Sequence, residues 1–73
     1  MFNECDGVVL KKKNSDIPLP PGTRGTVLIV HAAQPPAYEV EFVNDAGEYL
    51  GVYTVSDTDL MPRSPNASFI RRR

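Results

Sequence analysis

Few residues in this chain of 73 carry chemistry: Cys5 and His31 as a nucleophile and a base, Glu39 and Glu41 as a carboxylate pair, and Asp45, Asp57 and Asp59 as hard oxygen donors. Nucleophilic catalysis needs a nucleophile, a base and an orienting group that converge at hydrogen-bond range. One cysteine and one histidine, in different elements and sharing no motif, do not supply that. A structural zinc site draws on about four Cys or His ligands, and two isolated ones fall short. The aspartates lack the ligand spacing of a calcium loop. Gly22-Thr23-Arg24-Gly25 does not lead from a strand into a helix, so it reads as a turn and not as a nucleotide cradle. These residues predict a non-enzymatic chain with no catalytic residue, cofactor or metal.

The element that positions the two glutamates is the clearest in the sequence. In Tyr38-Glu39-Val40-Glu41-Phe42, three apolar side chains alternate with two carboxylates. A strand places Tyr38, Val40 and Phe42 on a buried face and stands Glu39 and Glu41 in water on the other. Asn44-Asp45-Ala46-Gly47 follows as a hairpin turn, polar first and glycine last. The returning strand is Glu48 to Val55, with Gly51 marking a bulge or bend. Tyr49 and Tyr53 lie on it, and only one facing of this strand belongs to the core.

Earlier in the chain, Met1 to Asp6 is polar and its first residues are expected to fray. Val8-Val9-Leu10 is a short β-branched strand closed by Lys11-Lys12-Lys13, a run that discourages edge pairing. Asn14 to Thr23 is a long loop stiffened by Pro18, Pro20 and Pro21, from which Ile17 and Leu19 are expected to reach the core. Gly25 to Val30 is a continuous run of strand formers, apolar on both faces. It should therefore be the most buried strand, or present one face to the tail or to another chain. Ser56 to Asp59 is a turn, read as one turn of 3₁₀ helix, before a last short strand at Leu60-Met61 that Pro62 stops.

This inventory describes an all-β domain over residues 5–62: a small five-stranded SH3-like barrel with a long Pro-rich first loop. Residues 63–73 form a basic, irregular tail, either disordered or docked on a partner, whose only apolar element is Phe69-Ile70.

The net charge of −1 conceals a segregation. Between Gly25 and Pro62 there is no Lys or Arg, whereas Glu39, Glu41, Asp45, Glu48, Asp57 and Asp59 all fall there. Such a face repels phosphate, which argues against nucleic acid as the partner. A single cysteine permits no intrachain disulfide, and the sequence shows neither a leader pattern nor a segment of membrane-spanning length. A cytoplasmic setting without membrane attachment is expected.

One resemblance adds to this. Val8-Val9-Leu10, Pro21-Gly22 with Gly25-Thr26-Val27, Tyr38-Glu39-Val40-Glu41-Phe42, Asp45 with Gly47, and Asp59-Leu60 resemble a family of short bacterial proteins of unknown function. The likeness spans about residues 5–62. It implies an SH3-like fold and no established activity. Because members resemble small products of mobile elements or of genes beside toxin-like genes, it also implies an antitoxin, immunity or regulatory role.

Three functions follow as expectations. The first is a protein-binding module that meets an unidentified partner through Glu39, Glu41, Tyr49, Tyr53, Phe69 and Ile70. The second is a nucleic-acid-binding barrel that uses Lys11–Lys13, Arg24 and the terminal arginines. The third is a self-associating unit, and a homo-oligomer is expected beside the partner-binding role.

Overall fold

The computed structural model describes residues 1–63. Five strands, β1 (Gly7–Leu10), β2 (Arg24–His31), β3 (Ala37–Val43), β4 (Tyr49–Ser56) and β5 (Leu60–Pro62), form one antiparallel sheet in the order β4-β3-β2-β1-β5. One turn of 3₁₀ helix, Asp57–Asp59, links β4 to β5, and Ser56 caps it by accepting from the Thr58 N–H. The domain is all-β, as its alternating sequence requires. The sheet curls round its core without closing, so β4 and β5 remain its two edges.

The core is Val8, Leu10, Ile17, Val27, Tyr38, Val40, Phe42, Val55 and Leu60. Tyr38, Val40 and Phe42 are all fully buried, so the alternating block supplies its centre. Removing a side chain of this size from water contributes roughly 1.5–3 kcal/mol each. Ile17 enters from the proline loop, and Leu19 packs against the core beside it. At Gly25 a Cβ would lie 2.6 Å from Val40 Cγ1 and 2.9 Å from the Glu41 carbonyl oxygen, so β2 has no room for a side chain at this point.

Two local irregularities set which side chains face out. In β2 the register shifts between Val27 and Ile29, so Leu28 is an extra residue. Leu28 and Ile29 are therefore both exposed, and Val30 returns towards the core. β2 is consequently not the most buried strand; its second face is open among the described residues. In β4 the register shifts beside Gly51, whose φ of 141° is open only to glycine. Tyr49 is turned to solvent there, whereas Tyr53 packs on the core beside Phe42, with ring centroids 6.3 Å apart.

The N-terminal residues are docked, contrary to the expected fraying. The Phe2 ring meets Tyr38 edge-on at 5.5 Å between centroids, and the Phe2 N–H donates to the Tyr38 hydroxyl at 2.9 Å. The Asp6 N–H closes a turn on the Asn3 carbonyl. Cys5 and Asp6 then both oppose Val27, since the Cys5 N–H donates to the Val27 carbonyl and the Val27 N–H to that of Asp6. This is a bulge whose first residue must be left-handed, and Cys5 has φ 72°.

Candidate binding surface

The outer face of β2, β3 and β4 is a lattice of rows read directly from the strand register. Tyr49, Val43 and Arg24 form one row, Val52, Glu41 and Thr26 the next, and Thr54, Glu39 and Ile29 the third. Four large apolar side chains stand exposed here: Tyr49 at 64%, Ile29 at 50%, and Leu28 and Val52 at 42% each. Scattered exposed apolar residues are ordinary, but a cluster around a charged centre is the composition of a contact surface.

The two glutamates are not equivalent. Glu39 Oε2 lies 2.9 Å from His31 Nε2 and accepts from Thr54 Oγ1 at 2.8 Å. These two contacts, the histidine's first, hold the Glu39 carboxyl below its ordinary 4.5. One of its oxygens is held by side chains of the domain, so it does not simply stand in water as the alternation suggests. Glu41 is half-buried between Val52 and Thr26, and among the described residues it makes no side-chain hydrogen bond or ion pair. Both glutamates keep their charge, and Glu41 is the one whose oxygens have no side-chain partner among the described residues.

The other charged side chains near this face, Arg24, Asp45 and Glu48, make their polar contacts around the β3–β4 turn. Arg24 reaches the carbonyls of Asn44 and Asp45 at 3.4 and 3.5 Å, and the Asp45 carboxylate at 3.8 Å. Distances of this length at an exposed partner contribute little. Asn44 organises the turn, its Oδ1 accepting from the N–H groups of Ala46 and Glu48 and its amide donating to Glu48 Oε1. Beside Arg24, the proline loop and the β3–β4 turn enclose an open cleft of about 430 Å³ whose walls include Leu19, Pro20, Pro21, Val43 and Leu50. It adjoins the Tyr49 row and extends the apolar surface.

Of the candidate residues named from sequence, Glu39, Glu41 and Tyr49 come together on this face. Tyr53 lies beneath it, and Phe69 and Ile70 lie outside the described residues. Leu28, Ile29 and Val52 were not among the candidates. The unbroken apolar run of β2 held the signal, but the bulge that exposes Leu28 leaves no mark in composition.

Cys5 and His31 are not brought together. Cys5 bonds opposite Val27, four residues along β2 from His31, a run of about 13 Å, and His31 is committed to Glu39. Among the described residues no three His, Cys, Asp or Glu side chains are grouped to hold a metal ion. Lys11–Lys13 are exposed on the far side of the sheet order, with Lys12 3.7 Å from Asp59. No helix among the described residues is long and apolar enough to cross a membrane.

Comparison with known families places the chain. Residues 4–62 match the model of a domain of unknown function, DUF4926. The chain belongs to this family. The DUF4926 match covers all five strands and stops at the end of β5. No curated protein and no solved structure matches.

Proposed function

We propose that this DUF4926 chain is a non-enzymatic protein-binding module built on an SH3-like barrel, and that its working surface is the outer face of β2, β3 and β4. The strand order, the long loop after β1 and the 3₁₀ turn before β5 support the SH3-like reading. The observation that carries the function is Glu41: a half-buried carboxylate with no side-chain partner among the described residues, set between Val52 and Thr26 on a face that also exposes Leu28, Ile29 and Tyr49. A charge already partly withdrawn from water pairs with less further desolvation, and the exposed apolar side chains of the same face exclude solvent as it does so. The partner this fits presents a Lys or Arg within an apolar patch. Paired charges of this kind chiefly set specificity and on-rate. The resemblance to small mobile-element products supports an antitoxin-like or regulatory setting.

The test is quantitative capture from the native host with wild-type, Glu41→Lys and Tyr49→Ala chains as bait. A protein retained by wild type and lost from both variants is the expected result. Identical captured sets from all three overturn the reading.

A further inference from the structure

The two edges of the sheet are built differently. β5 is three residues long, ends in Pro62, and is flanked by the Lys12–Asp59 pair and Arg63. Shortness, proline and charge are the devices that keep an edge from pairing with another chain. β4 has none of these within the strand: its flanking acids, Glu48 and Asp57, lie outside it, and its one irregularity, beside Gly51, precedes Val52. It runs eight residues, Tyr49–Ser56, with no proline and no charged side chain.

Its free backbone groups can be identified. The Asp57 N–H donates to the Pro36 carbonyl at 2.9 Å, which makes Ser56 and Ala37 a pair without mutual hydrogen bonds. Antiparallel ladders alternate, so Val55 and Tyr53 bond to β3 while the N–H and C=O of Val52 and Thr54 point away from the sheet. Among the described residues nothing covers them.

We propose that β4 pairs antiparallel with β4 of a second copy about a two-fold axis at Tyr53. Val52 of each copy then exchanges backbone hydrogen bonds with Thr54 of the other. A second copy fits because the outward side chains of β4 are Val52, Thr54 and Ser56. Self-pairing sets Val52 against Thr54 and brings no like charges opposite. The glutamates of β3 are held apart as well, since three strand spacings separate the two β3 strands, about 14 Å, beyond the ~8 Å screening length at physiological salt. One sheet then runs through both copies and joins their two outer faces. This goes beyond the single-face reading and does not depend on it.

Sedimentation equilibrium and NMR amide exchange of the full chain, with no partner present, test this. The expected result is a mass that doubles as concentration rises. The Val52 and Thr54 amides should slow in step, while those of Tyr53 and Val55 stay protected throughout. Val52→Lys should weaken the dimer by at least about tenfold, the equivalent of 1.4 kcal/mol, with Tyr53 and Val55 still protected. Thr54→Lys serves the same purpose if Val52→Lys does not fold, and Met61→Lys on β5 should leave the dimer intact. A monomer at millimolar concentration with fast Val52 and Thr54 amides overturns the proposal. So does a monomer in which those amides are slow at every concentration, because the chain's own residues would then cover the edge. Loss of the dimer in Met61→Lys but not in the β4 variants would also overturn it.

Discussion

The Tyr38 hydroxyl donates to Asp57 Oδ1 at 2.7 Å from a fully buried ring. The same oxygen accepts the Phe2 N–H, so one atom ties the N-terminal residues and the 3₁₀ turn to the centre of the core. Tyr38→Phe keeps the ring and deletes both bonds. Loss of a bond to a charged group, with the Phe2 N–H left unpaired, should cost about 1.5–3 kcal/mol in urea unfolding. Burial above all, with Asp57 adding to it against the opposing Phe2 N–H, raises the Tyr38 hydroxyl above its ordinary 10.0. A raised group holds its full contribution below the unfolded value and loses it as pH climbs towards the folded one. Wild type should therefore lose stability above about pH 10 more steeply than Tyr38→Phe.

Glu39 titrates in the opposite sense. Its carboxyl is lowered from 4.5 in the fold, so its contribution is present above that value and fades as pH falls through the folded one. Glu39→Gln should be less stable than wild type at neutral pH, and the gap should close in acid. Chemical unfolding of both proteins across pH 2–7 checks this, and a gap that is constant with pH would contradict the assigned contacts.

Cys5 occupies a left-handed position that glycine takes without penalty. Relief of about 1–2 kcal/mol of backbone strain, set against the ~0.5–1 kcal/mol entropic cost of glycine, predicts a gain of up to about 1.5 kcal/mol for Cys5→Gly. Cys5→Val should lose stability, because a β-branched residue fits that region worst. The unfolding midpoints of the two variants should move in opposite directions.

The two tyrosines of β4 should separate cleanly. Tyr53→Ala removes a partly buried ring packed on Phe42 and over Gly51, and should cost about 1–3 kcal/mol. Tyr49→Ala should change stability by less than about 0.5 kcal/mol, as expected of an exposed surface position. Thermal melts of both variants measure this, and the same Tyr49→Ala protein tests binding.

The strands were legible because alternation survives in composition. Tyr38, Val40 and Phe42 point inward as their spacing requires, and Gly51 bends β4 where its position in the run indicates. What was hidden depends on register. The bulge at Leu28 leaves no trace inside a run of apolar residues, so the open second face of β2 came only with the pairing. The Glu39–His31 contact joins residues on adjacent strands out of step with one another, and no single-strand pattern displays it. Phe2 docks through a bulge at Cys5, a residue whose type gives no warning of left-handed backbone. Tyr49 and Tyr53 share a parity in sequence, and only the irregularity beside Gly51 sends them to opposite sides.

In the proposed function Glu41, set between Val52 and Thr26, meets a basic group on a protein partner. Titration calorimetry of the captured partner against wild type and Glu41→Lys, at low and at high salt, tests it most directly. The predicted result is an affinity at least about tenfold weaker for Glu41→Lys, with most of the salt dependence gone. Equal affinities and equal salt dependence for the two proteins would contradict it.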